Sequence, residues 1–128
     1  MNNNFDTDDL TGMFDTNDIE KNKFLTIIGY IPLLFLIPML TAGDSKYAKF
    51  HANQGLILTI FAAICAVINQ LVKFVIGWIP LIGGVISTII SLALGLATLA
   101  YIIIGILNAI QGRAKKLPLI GDLIDVIK

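Results

Sequence analysis

The chain has 128 residues, 56 % of them hydrophobic and 14 % charged, with nine basic and nine acidic side chains and a mean hydropathy of +0.84. One compact unit fits that length, but a soluble domain of this size has too little interior to hide so much apolar surface. A net charge of zero excludes the basic face that a nucleic acid needs, so the expectation is an integral membrane protein without a nucleic-acid partner.

The chain opens on an acidic stretch. Asp6, Asp8, Asp9, Asp15, Asp18 and Glu20 all precede Lys21, and FDTDDL (5–10) recurs as FDTNDI (14–19). Few apolar groups and much like charge predict an acidic, largely disordered tail over residues 1–22. A calcium loop starting at Asp6 fails, because Leu10 and Thr11 stand where an oxygen ligand and a glycine are required. Asn17 followed by Glu20 predicts a cap for a helix leading into the first apolar run.

That run, FLTIIGYIPLLFLIPMLTA (24–42), carries no charge. As a helix it would reach ~28 Å, about one hydrocarbon core, with kinks at Pro32 and Pro38. The acidic flank argues against a cleaved signal peptide. Next comes SKYAKFHANQG (45–55), a polar patch between two apolar runs that holds the single histidine. A cap at Asp44 or Ser45 would start a helix there, and the second span is expected over 48–72. Ala48, Ala52, Gly55, Thr59, Ala62, Ala66, Asn69 and Lys73 alternate steps of four and three along it, a heptad of small or polar residues.

Residues 74–112 contain no charge. Pro80 and Gly83–Gly84 break this stretch, so FVIGWIPLIGG is expected to be a short connection with Trp78 near the headgroups, and 85–111 the third span. Ser87, Ser91, Gly95, Thr98, Gly105 and Ala109 give that span a small-residue face, expected to pack on the second span or on another copy of the chain. After Arg113, Lys115 and Lys116 comes LPLIGDLIDVIK, whose apolar residues share one helical face and predict a short interfacial helix within 113–128. LPLIGDLI (117–124) also echoes IPLIGGVI (79–86).

The expected fold is therefore an all-α polytopic membrane bundle of three spans within residues 23–112, with a fourth only if the connection re-enters as a helix. Three crossings place Lys46, Lys49, Arg113, Lys115, Lys116 and Lys128 on one side and Lys21, Lys23 and Lys73 on the other. The excess of positive charge sets the first connection and the C-terminus in the cytoplasm of a cell-membrane protein, and the N-terminus outside.

Chemistry is sparse. His51, Asn53 and Gln54 form the candidate functional polar cluster, but no second histidine, carboxylate or thiol joins them in sequence. Cys65 reads as a small apolar filler. Ser87 and Ser91 would lie at the opposite depth from His51, which excludes an intramembrane serine nucleophile activated by it. Asn69, Gln70, Asn108 and Gln111 read as hydrogen-bond partners between helices. No enzyme, cofactor or metal site is expected.

DIEKNK before the first run, YIPLLFLIPML within it, DSKYAKFHANQG opening the second and LNAIQGRAKKLPLIG closing the third resemble a family of small bacterial membrane proteins of unknown function. That family is grouped with the chloroplast inner-envelope import component of the Tic-twenty type. The resemblance covers residues 18–122 and implies a helical multi-pass protein, with protein import as the plastid relative's role. Together these readings favour a non-enzymatic packing or scaffold component of a membrane complex, linked to protein transport and partnered by lipid, other membrane proteins or itself. The alternative is a small-solute or ion pathway in an oligomer, lined by Thr59, Asn69, Ser87, Ser91 and Thr98.

Overall fold

A computed structural model describes residues 9–125 and 127. Four helices follow in order: α1 (Thr16–Ile28), α2 (Leu36–Thr41), α3 (Lys46–Ile76) and α4 (Ile82–Ile110), with a short 3-10 turn at Thr11–Met13 ahead of them. No strand occurs among the described residues; a single antiparallel bridge joins Asp9 to Lys115.

The two long helices form an antiparallel hairpin. At 31 and 29 residues they extend ~46 and ~44 Å, more than a hydrocarbon core. Their most apolar stretches are barely covered by the rest of the chain: 22 % of that window is buried in α3 and 6 % in α4. Helices this apolar and this uncovered are built for lipid rather than for a soluble core. Serine 45 starts α3 by accepting from the Ala48 N–H at 2.9 Å, so the polar patch forms its first turns. Gly77 ends it, its N–H returning to the Lys73 carbonyl. The hairpin tip then presents Phe74, Trp78 and Leu81, which are 83 %, 75 % and 87 % exposed.

The expected continuous first span over 24–42 does not form. Helix α1 starts at Thr16, inside the tail expected to be disordered, and stops at Gly29. Its cap is Asp15, whose carboxylate accepts from the Asn17 N–H at 3.1 Å, rather than Asn17 with Glu20. Residues 29–35 then make an elbow into the single-turn-and-a-half α2. Pro32 has no N–H to give a helix and disfavours helical geometry at the residue before it. Leu33 follows at φ 74°, and its N–H leaves the helical ladder for the Thr59 hydroxyl at 3.0 Å. The first half of the duplication, FDTDDL, lies mostly outside the described residues.

The interfacial helix expected near the C-terminus is also absent among the described residues. Leu119 sits at φ 69°, with the Ile120 N–H reaching back to the Pro118 carbonyl at 2.8 Å. The same γ-turn occurs at the hairpin tip, where Leu81 has φ 63° and ψ −60° and the Ile82 N–H meets the Pro80 carbonyl at 2.6 Å. The echo between IPLIGGVI and LPLIGDLI is thus a repeated turn. Leu33, Leu81 and Leu119 are the non-glycine residues at positive φ among those described, and each follows a proline.

The chain ends meet. The Leu10 N–H donates to the Ala114 carbonyl and the Ala114 N–H to the Thr11 hydroxyl, both at 2.9 Å. Residues 9–14 therefore lie at the same end of the hairpin as the segment following α4. Termini on opposite faces, as three crossings require, do not fit that geometry. Two apolar helices and an elbow that returns do fit it.

Candidate functional site: a polar knot at the root of the hairpin

The first turns of α3 carry a sequence of polar side chains that a lipid-facing helix would not tolerate unpaired. Each is covered by α1, the elbow or the segment after α4. Asp18 of α1 accepts from the Ser45 hydroxyl, from the Tyr47 N–H at 3.1 Å and from the Asn22 amide at 2.8 Å. It thus adds a second cap to the free N–H groups at the start of α3, where the helix dipole favours a negative charge. Burial opposes ionisation of Asp18, but the donors from Ser45, Tyr47, Asn22 and Lys46 outweigh it and hold the carboxyl below its usual range.

His51 is fully buried inside a ring of aromatic edges from Tyr30, Tyr47 and Phe50, at centroid distances of 5.3, 4.7 and 5.2 Å. Its Nε2 lies 2.9 Å from the Arg113 carbonyl and its Nδ1 is hydrogen-bonded to the Tyr30 hydroxyl. A carbonyl only accepts, so Nε2 carries the proton; in the neutral ring Nδ1 then accepts from Tyr30. One imidazole joins the elbow, α3 and the chain beyond α4.

Asn53 and Gln54 hold the C-terminal segment. Gln54 accepts from the Leu117 N–H at 2.8 Å and donates to the Gly121 carbonyl at 3.0 Å. Asn53 donates to the Ile124 carbonyl at 2.7 Å and accepts from the Ile127 N–H at 3.2 Å. An amide offers one donor and one acceptor, as a strand edge does, so two adjacent amides satisfy a tail that Pro118 and Leu119 keep out of a helix. Leu117 is buried with Tyr30, Leu58 and Ala109, and Ala114 with Ile19 and Tyr47.

The small-residue positions divide into two groups. Toward the knot, Ala48, Ala52 and Gly55 are buried and Gly55 faces the elbow: a Cβ there would run into the Gly29 carbonyl and Phe35. Thr59 serves the same elbow, donating to the Gly55 carbonyl at 2.8 Å while accepting from Leu33. Gly105 makes room for the Tyr30 ring, which a Cβ would penetrate, and Ala109 is buried beside it. So here α3 and α4 each pack on the inserted elbow. Toward the tip they face one another. Ser87 is buried, Ser91 donates to the Asn69 amide oxygen at 2.5 Å, and Ala62, Ala66, Gly95 and Thr98 line an open groove of about 420 Å³ with Asn69 and Ser91. A Cβ at Gly95 would meet nothing within 4 Å.

Among the described residues, no three His, Cys, Asp or Glu side chains converge as a metal site would require. Sequence reasoning missed Tyr30, Asp18 and the Arg113 carbonyl. Tyr30 could have been suspected as the one hydroxyl-bearing ring within the first apolar run; nothing in the sequence marks a backbone carbonyl.

A long apolar hairpin carrying a hydrogen-bonded head at one end defines a helical membrane protein. The chain belongs to the magnetosome magnetite crystal formation protein family, whose profile matches residues 22–124. It is 27 % identical over 107 residues to the magnetosome protein MamF of Paramagnetospirillum magneticum, covering 84 % of this chain and 86 % of MamF. MmsF of the same organism is 27 % identical over 101 residues, covering 79 % of this chain and 83 % of MmsF. A UPF0132 membrane protein of Methanocaldococcus jannaschii is 31 % identical over 88 residues, covering 69 % of this chain and 55 % of that longer protein. No solved structure matches. The family match overturns the resemblance to the Tic-twenty import component, and the link to protein transport falls with it.

Proposed function

We propose that this protein is a non-enzymatic membrane component that contributes to magnetite crystal formation, with the α3–α4 hairpin as its anchor and the knotted head on one membrane face. The observation that carries this reading is the family match across residues 22–124, which includes both long helices, the elbow and the tail-binding amides. The head's side chains are taken up in holding helices and tail together, which suits a scaffold better than a catalyst. The earlier pathway alternative has less support, because Thr59 is engaged by the elbow and Ser87 is buried outside the groove that Asn69, Ser91 and Thr98 line. Expression in a Paramagnetospirillum magneticum strain lacking MamF and MmsF tests the proposal. Crystals restored toward parental dimensions in electron micrographs support it, and crystals indistinguishable from the deletion strain's sink it.

A second reading has one observation behind it. The archaeal relative is named only as a membrane protein, so the hairpin and head could form a general membrane module used outside mineral formation. The same strain decides: correct membrane insertion without any effect on crystals is the outcome this reading expects.

A further inference from the structure

The groove between the first turns of α3 and the C-terminal segment is not explained by the knot. It encloses about 430 Å³ and is lined by Lys46, Lys49 and Phe50 on one wall and by Lys116, Asp122 and Asp125 on the other, with Asn53 and Gln54 at its base. Lys116 pairs with Asp122. Lys46 and Lys49 make no ion pair among the described residues, so the groove keeps two uncompensated ammonium groups against the single carboxylate of Asp125.

Its height matters as much as its charge. Apolar sequence in α3 begins at Leu56. At ~1.5 Å per residue, Asn53 stands ~5 Å and Lys49 ~10 Å above that level, which is the depth of a headgroup layer rather than of bulk water or hydrocarbon. Lys46, Lys49, Phe50 and Asn53 also share one face of α3 with Ile60, Ile64, Val67 and Leu71, by the helical repeat. Those four apolar residues are exposed. A cationic groove therefore stands above an apolar lane ~17 Å long that is uncovered from Ile60 onward, with the buried Ile57 between the two.

We propose that this groove binds the phosphate of an anionic phospholipid, with Lys46 and Lys49 on the headgroup and an acyl chain along Ile60–Leu71. This shape and charge match a two-part ligand, anionic above and apolar below, whereas a free phosphate would have no use for the lane. Ammonium groups on flexible stems suit a phosphate at an interface. The proposal rests on the hairpin spanning the membrane with its head at the surface, but not on any role in crystal formation.

The test uses the full chain in mild detergent, titrated with dioctanoyl phosphatidylglycerol or dioctanoyl phosphatidylcholine and read by native mass spectrometry for retained lipid. Phosphatidylglycerol should be retained about tenfold better, and the double change Lys46→Gln, Lys49→Gln should remove most of that preference. Lys21→Gln with Lys23→Gln, equally basic residues elsewhere on the head, should leave it intact. Equal retention of the two lipids by the unaltered chain would overturn the proposal even if the double variant failed to fold. An equal loss in the Lys21, Lys23 variant would also overturn it, by making the attraction diffuse. Displacement of the lipid by equimolar inorganic phosphate would overturn the lipid assignment in favour of a free phosphate. Magnetite phenotypes play no part in this readout, so its failure and that of the proposed function remain separate.

Discussion

At the scale of single residues, two glycines of α4 that look alike in sequence do opposite things. Gly105 lies under the Tyr30 ring, and Gly95 faces open space. Gly105→Ala should therefore lower stability in detergent by ~1–3 kcal/mol, the usual cost of overpacking a filled site. Gly95→Ala should be neutral or favourable by up to ~1 kcal/mol, because alanine is the better helix former. Thermal unfolding of both variants checks the pair; equal losses would mean that Gly95 is covered after all. Asp18 supplies a second residue-scale expectation. Its folded carboxyl lies below the ordinary value, so its contribution is complete above an unfolded pKa of ~3.9 and is lost as pH falls through the lower folded value. The unaltered head should loosen with acid in that window, whereas Asp18→Asn should be weaker at neutral pH and flatter below it. Amide exchange at the start of α3 against pH would show the difference.

At the scale of elements, α3 and α4 were legible because an unbroken apolar sequence of that length has few other uses. The start of α3 inside a polar patch was legible as well, from Ser45 followed by a heptad of small residues. The first apolar run was misleading for a physical reason. Its composition suits a span, but Pro32 and the departure of the Leu33 N–H to Thr59 turn it into an elbow whose inner residues, Tyr30 and Phe35, are buried by α3 and α4. Amphipathic spacing in LPLIGDLIDVIK was misleading too, since Asn53 and Gln54 take up the backbone groups that a helix would have paired internally. Which of His51, Asn53 and Gln54 would meet which partner was not readable, because five of those partners are main-chain atoms more than sixty residues away. The tail is thus part of the head. Removing residues 117–128 takes away the main-chain groups that Asn53 and Gln54 bond and uncovers Leu58 and Tyr30, so the truncated chain should still insert yet be cut by trypsin near Lys21, Lys23 or Arg113 at least tenfold faster, each lost buried bond being worth about 1–3 kcal/mol. Unchanged protease resistance would return the tail to a merely surface-lying role.

At the scale of the whole molecule, the bonds between residues 10–11 and residue 114 predict an even number of crossings. With two crossings, Lys21, Lys23, Lys46, Lys49, Arg113, Lys115 and Lys116 fall on the head's side and Lys73 lies near the tip. Seven cations against one is a stronger bias than the five-to-three split that three crossings give the same eight residues, and it predicts a cytoplasmic head. In a Cys65→Ala background, cysteines placed at Thr11 and at Lys115 should both react with an impermeant reagent from the cytoplasmic face. A cysteine at Trp78 should react from the opposite face. Labelling of the two head positions from different faces would restore an odd number of crossings.

The bonds between residues 10 or 11 and residue 114 also constrain how the molecule is made. Their partners are separated by about a hundred positions in the chain, and a ribosome adds residues at ~5–20 per second. Residues 10 and 11 are therefore synthesised first and must wait several seconds before Ala114 emerges to receive them, although Asp18 of α1 can meet Ser45 and Tyr47 well before that. During that wait the α3–α4 hairpin can already enter the bilayer, because its own contacts are nearer in sequence. The earliest and the latest described segments of the chain are then joined last, and the head closes only once both membrane helices stand in place behind it.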